Sequence, residues 1–210
     1  MPLKNLSVAL MAAVLALGPG QAGAAAPALA PALLNSRLHP DPAYTQGLFF
    51  DGDNLYISAG LYGRSEFACW SFGALPASAP QQAFRPPGHF FAEGAALAEG
   101  EIYLLTWRNE TVFVLNPDNL TPARRLPYDG EGWGLGWDGA RLWRSDGSAF
   151  LRPHRPGDFA PAGPALRVHD DGREVSGLNE LEWDPATGLM LANVYESDLV
   201  AAIDLSDGRV

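Results

Sequence analysis

Tyr128-Asp-Gly-Glu-Gly-Trp-Gly-Leu-Gly-Trp-Asp-Gly-Ala-Arg-Leu-Trp-Arg-Ser-Asp-Gly-Ser148 decides the fold, because three other segments of the chain lie over it in register. Trp133 serves as the reference: it precedes a short strand, a turn at Asp138-Gly139 and a second strand over Arg141 to Arg144. Gln46 opens the matching unit Gly47-Leu-Phe-Phe-Asp-Gly-Asp-Asn-Leu-Tyr-Ile-Ser58, and Glu93 opens Gly94-Ala-Ala-Leu-Ala-Glu-Gly-Glu-Ile-Tyr-Leu-Leu105. Asn179 opens the fourth, Glu180-Leu-Glu-Trp-Asp-Pro-Ala-Thr-Gly-Leu-Met-Leu191. The four starts are 47, 40 and 46 residues apart.

A period of about 44 residues, each holding a strand, a Gly-containing hairpin and a second strand, is the spacing of β-propeller blades. Helical repeats of similar length need amphipathic runs, and residues 40–210 contain none. The chain therefore reads as all-β. Blades surround a central channel, so residues at one repeat phase meet there. Gln46, Glu93, Trp133 and Asn179 share that phase and form a candidate site of one carboxylate, two amides and an indole.

The composition fits this reading. The 210 residues are 47% hydrophobic and carry 23 Gly and 18 Pro, which suits one domain of many short strands and turns. A net charge of −10 argues against nucleic acid or an anionic membrane surface as partner, since both require basic patches. Residues 1–24 have the pattern of a secretory signal: Lys4, an apolar run from Leu6 to Leu17, and Gln21-Ala-Gly-Ala24 as a cleavage site. The expected location is thus periplasmic or secreted, with no membrane anchor after cleavage. Residues 25–36 read as a flexible Ala/Pro-rich segment and 37–210 as the propeller. Cys69, the single cysteine, sits in a strand-like run and reads as a small buried hydrophobe. The four histidines show no metal spacing, and Asp51-Gly-Asp53 reads as a hairpin turn rather than a calcium loop. No cofactor is expected for chemistry; the sequence does not indicate a structural divalent cation in the channel, though it leaves room for one.

From Gln46 to Val210 the chain supplies fewer than four full units of about 44 residues. The expectation is a C-terminally incomplete ring of about four blades, its last blade lying beyond Val210. Leu33 to Leu38 is a candidate extra strand for another blade.

Several motifs coincide in order: His39-Pro-Asp-Pro-Ala-Tyr-Thr-Gln-Gly-Leu48, Gly60-Leu-Tyr-Gly-Arg-Ser65, Ala92-Glu-Gly94, Leu105-Thr-Trp107, Tyr128-Asp-Gly-Glu-Gly-Trp-Gly-Leu135, Ser145-Asp-Gly-Ser148, Leu178-Asn-Glu-Leu-Glu182 and Ala192-Asn-Val-Tyr195. Together they resemble the plant-type glutaminyl cyclases, or glutamine cyclotransferases, over residues 37–210. The resemblance implies a five-bladed β-propeller that converts an N-terminal glutamine of a peptide or protein to pyroglutamate with release of ammonia, without a catalytic zinc. It makes Glu93 the acid/base, Gln46, Trp133 and Asn179 polar ligands of the substrate, and Tyr44, Phe91 and Trp107 aromatic walls. Tyr195 stands where the family has Trp, which keeps an aromatic wall and adds a hydroxyl. A family Lys in the fifth blade would lie beyond Val210.

These residue types suit the reaction. Cyclisation is intramolecular, so holding the α-amine against the side-chain carbonyl removes much of the barrier. One carboxyl can take the amine's proton and deliver one to departing ammonia. The Asn179 or Gln46 amide or the Trp133 indole N–H is a candidate donor to the amide oxygen. Glu131, Glu180, Glu182 and Asp146 read as structural acids bound to backbone N–H groups or arginines. The expected partner is a Gln-initiated peptide and the expected state a monomer. Two alternatives stand: an inactive propeller serving as a binding scaffold, and a metal-dependent lactonase-type propeller, which needs several channel carboxylates.

Overall fold

A computed structural model describes residues 7–9, 25–38, 44–75 and 79–210. Four antiparallel sheets succeed one another along the chain. The first blade comprises Thr45–Asp51, Asn54–Ala59, Glu66–Ser71 and Gln82–Phe84. The second comprises Ala92–Ala98, Glu101–Thr106, Thr111–Leu115 and Pro122–Pro127. Leu135–Trp137, Leu142–Arg144, Phe150–His154 and Leu166–Arg167 form the third, and Leu178–Asp184, Leu189–Val194 and Val200–Ile203 the fourth. Every strand pairs with its sequence neighbour, the up-and-down meander of a propeller blade. The repeat read from sequence is therefore the structural unit.

Strand alternation explains the packing. Along Leu55-Tyr-Ile57 and Phe67-Ala-Cys-Trp70, alternate residues face opposite sides, and both sides are apolar. Tyr56, Phe67 and Cys69 join Ile102, Leu104, Phe113 and Leu115 in a core between blades one and two. Tyr103, Leu105, Val112 and Val114 turn the other way, toward Leu135, Leu142 and Phe159 of blade three. Trp143 and Leu151 then meet Leu181, Met190 and Ile203 of blade four. Cys69 is buried as a small hydrophobe, and the Asp51-Gly-Asp53 segment is a hairpin turn with Gly52 at φ 57°.

At the hub the innermost strands approach backbone to backbone. Three successive blades carry glycine at the phase following the candidate site residues: Gly47, Gly94 and Gly134. A Cβ on Gly47 would stand 3.0 Å from Gly94 Cα, and one on Gly94 would stand 2.6 Å from Leu135 N and Trp133 O. On Gly134 it would overlap the Asn179 carbonyl. The fourth blade has Glu180 at this phase, and its Oε1 accepts a hydrogen bond from Leu48 N (3.0 Å), joining blade four to blade one.

The strand expected within residues 33–38 forms over Ser36–Leu38, but it pairs with Ser7–Ala9 and not with a blade. Its side chains are largely exposed, so it has no apolar face to seat against a sheet. The rest of the expected leader, residues 1–6 and 10–24, lies outside the described residues. Residues 25–35 have no regular structure and are mostly exposed, with Ala26 N donating to Asp170 Oδ1 (2.7 Å).

Glycine at the hub is a steric requirement, so Gly94→Ala is expected to destabilise the fold by about 2–4 kcal/mol. Gly73→Ala, where a Cβ meets nothing within 4 Å, is expected to shift stability by under about 0.5 kcal/mol. Urea unfolding of the two variants checks the contrast.

Candidate active site

The residues at the shared phase are displayed by irregularities in otherwise regular strands. The ladder shifts register between Thr45 and Gly47, between Ala92 and Ala95, and between Leu178 and Leu181. Gln46, Glu93 and Asn179 fall inside these three bulges. A bulge re-aims the side chain it carries, and the device recurs at the same phase of three blades. In blade three the same place is taken by a cross-link: Ser145 Oγ receives Gly134 N (2.7 Å) and donates to the Asn179 carbonyl (2.7 Å). Trp133 N donates to Ser145 O (3.1 Å), and Gly94 N donates to Trp133 O (2.6 Å). The backbones bearing Glu93, Trp133 and Asn179 are thus tied together directly.

Glu93 is buried, with 5% of its surface exposed. Burial, and then the negative charge of Glu131, push its carboxyl from 4.5 up to about 9. At neutral pH Glu93 therefore holds its proton.

Around this carboxyl runs a belt of aromatic side chains from all four blades. Tyr62 meets Phe91 edge-on at 5.4 Å between ring centroids, and Phe91 meets Trp107 at 5.6 Å. Trp133 meets Tyr195 at 5.5 Å with planes 77° apart. Tyr195 lies close enough to Tyr44 to raise its hydroxyl pKa, with lesser contributions from burial and from the charge of Glu93. Tyr44, Tyr62 and Tyr195 are exposed, Phe91, Trp107 and Trp133 are half-buried, and Glu93 is buried. Two glycines make room for the belt. A Cβ on Gly60 would run into the Phe91 ring, and one on Gly147, whose φ is 78°, would stand 2.7 Å from the Trp133 ring.

The gap between Trp107 and Trp133 is filled by Glu131. Its Oε2 accepts from both indoles, Trp107 Nε1 at 2.8 Å and Trp133 Nε1 at 3.0 Å, and its Oε1 accepts from Arg108 Nε at 2.9 Å. In this structure the Trp133 N–H is engaged by Glu131, while the Gln46 and Asn179 amides also stand as candidate donors to a substrate oxygen. Glu131 was expected to bind an arginine, and it does. Its two indole bonds were not foreseen, because residues 107, 131 and 133 are brought together only by the packing of adjacent blades. Tyr62 was likewise missed, although it lies in a motif of the resemblance.

Of the remaining acids, Asp146 and Glu180 sit as expected. Asp146 accepts from Ser148 N (3.1 Å), the Ser148 hydroxyl and Arg152 Nε (3.0 Å). Glu180 accepts from Leu48 N, and burial raises its pKa well above 4.5. Beneath the site, buried Arg144 donates to the Glu131 and Asp129 carbonyls and to His154 Nε2 (3.3 Å). Burial pushes His154 down to about 4, which keeps it neutral, so that Nε2 accepts while Nδ1 donates to Phe159 O (2.8 Å). Among the described residues, no group of three His, Cys, Asp or Glu side chains converges to hold a metal ion.

Comparison with known proteins shows the family of the chain. Residues 6–210 match the family described as glutamine cyclotransferase. The chain belongs to that family. It is 33% identical over 174 residues to glutaminyl-peptide cyclotransferase of Arabidopsis thaliana, covering 82% of this chain and 52% of the relative. The chain thus spans about half the length of that curated relative. The crystal structure of Myxococcus xanthus glutaminyl cyclase superposes with a TM-score of 0.72 at 34% identity, covering 80% of this chain and 68% of that one. Hydrazine synthase of Kuenenia stuttgartiensis, at 14% identity and a TM-score of 0.53, covering 79% of this chain and 47% of that one, shares the fold alone.

The proton held by Glu93 has a thermodynamic signature. Its folded pKa is raised, so its contribution to stability is fully present below about 4.5 and is lost as pH rises toward about 9. The uncharged isostere Glu93→Gln is expected to come within about 1 kcal/mol of the parent near pH 5 and to exceed it by several kcal/mol, on the order of 5 by linkage, at about pH 8.5. Urea unfolding at the two pH values checks this.

Proposed function

We propose that this protein is a glutaminyl-peptide cyclotransferase, converting the N-terminal glutamine of peptides or proteins to pyroglutamate with release of ammonia. One observation carries the reading: the buried carboxyl of Glu93, whose burial favours its protonated form, belongs to a hub flanked by aromatic side chains of all four blades, which we read as the floor and walls of a substrate mouth. Family membership and the likeness to the Arabidopsis and Myxococcus enzymes support it.

The geometry suits the chemistry of the ring closure. A glutamine side chain entering the mouth is confined between Phe91, Trp107, Trp133 and Tyr195. Confinement favours the folded conformer in which the α-amine reaches its own side-chain carbonyl. The amine nitrogen then bonds to Cδ, and the Cδ–Nε bond breaks. One proton leaves the amine and one must reach the departing nitrogen. Neutral Glu93 delivers its proton to that nitrogen while its other oxygen accepts the amine's proton, and so ends in its starting state. The charge gathering on the amide oxygen is met by the Gln46 or Asn179 side-chain amide. No metal is needed to balance these steps. The signal-like N-terminus supports a periplasmic or secreted setting, where peptide N-termini are available as substrates.

Two ionisations bound the rate. The attacking amine must be neutral, which sets an acid limb near the free α-amine value of about 8, and Glu93 must keep its proton, which sets an alkaline limb near 9. The expected kcat/KM profile is a narrow bell, measured as ammonia released from a Gln-initiated peptide. Glu93→Gln is expected to lower turnover about 10³-fold with the fold intact. A Glu93→Gln protein as active as the parent would overturn the assignment, and an inactive parent would favour the binding-scaffold reading.

A further inference from the structure

We propose that Glu131 is a positioning residue of this site, a single carboxylate that fixes the two indole walls of the mouth, Trp107 and Trp133, in one mutual orientation. The inference deepens the cyclotransferase reading and rests on it.

Trp107 follows the second strand of blade two, whereas Trp133 precedes the first strand of blade three. Nothing in the sheet ladders fixes one ring relative to the other. Glu131 does so with one atom, Oε2, which both indole N–H groups address. Two donors sharing one anionic oxygen set the angle between the rings as well as their separation. Such charge-assisted bonds are shorter and stronger than neutral ones. The other oxygen binds Arg108 Nε, and the Arg108 guanidinium lies 3.8 Å above the centre of the Trp107 ring. Trp107 is therefore gripped at its edge by Glu131 and covered on one face by Arg108.

The carboxylate is itself anchored. The Glu131 carbonyl accepts from Arg144, as does the carbonyl of Asp129, and Gly132 N donates to Trp107 O (3.0 Å). Arg144 is 3% exposed, stacks over the Tyr128 ring at 4.7 Å and leans on His154. A rigid element at the back and two hydrogen-bonded rings at the front are what a precise site requires of its supporting shell. Glu131 also stays charged: burial acts against ionisation, but the bonds from Trp133, Trp107 and Arg108 outweigh it and lower the pKa. That fixed negative charge adds to burial in holding the proton on Glu93. One side chain thus serves both the shape of the mouth and the protonation of its floor.

The test is Glu131→Gln in the full chain. Three outcomes are expected: a kcat/KM at least about tenfold lower, displaced ¹⁵N–¹H signals of the Trp107 and Trp133 indoles, and an alkaline limb moved to lower pH. A purely structural contribution would not move that limb. Glu131→Asp keeps the charge and is expected to restore the limb without fully restoring kcat/KM, and it substitutes for the amide variant if that one does not fold. A folded Glu131→Gln protein with parental indole signals and a parental Glu93 titration, followed through ¹³C-labelled carboxyls, overturns the proposal. These spectroscopic readouts need no turnover, so they separate failure of the positioning inference from failure of the cyclotransferase reading.

Discussion

The structure depends on how closely its inner strands pass. Where Gly47, Gly94 and Gly134 follow one another around the hub, backbone lies against backbone with no volume for a methyl group. That proximity lets amides and carbonyls of neighbouring blades bond directly, as Gly94 N does to Trp133 O. Beside these glycines the ladders shift register at Gln46, Glu93 and Asn179, so the same strands that pack most closely are also the ones that bulge. Close packing and site assembly are two results of one constraint.

Chemistry at such a place is shaped by what surrounds it. Glu93 stands in a setting that opposes ionisation, with burial as the larger cause and Glu131 as the lesser. The two carboxyls differ because their partners differ. Glu131 collects two indole N–H groups and a guanidinium, and it remains an anion. An acid and a nearby fixed charge, pushed in opposite directions by their environments, are a recurrent basis for proton transfer at neutral pH.

Much of this was legible in the sequence because a propeller writes its period into the chain. The spacing of Gln46, Glu93, Trp133 and Asn179 located the inner strands, and the strand boundaries follow the alternation of apolar residues. The aromatic residues Tyr44, Phe91, Trp107 and Tyr195 came from the resemblance; in the structure Phe91 packs on Trp107, and Tyr195 on Trp133. What periodicity could not supply was contact between different phases. Glu131 lies two residues before its repeat position, and its bonds to Trp107 and Trp133 exist only because blades two and three are adjacent. The Trp133 N–H could be read from sequence as a free donor for the same reason. Ser36–Leu38 was given the right secondary structure but the wrong partner, since a three-residue strand with an exposed face carries no pairing code.

Glu180 occupies the hub position that is glycine in the other three blades, and it reaches across to Leu48. Where the other junctions close glycine against backbone, this one is fastened by a carboxylate arm, so the contact between blades four and one depends on a side chain that a single substitution can remove.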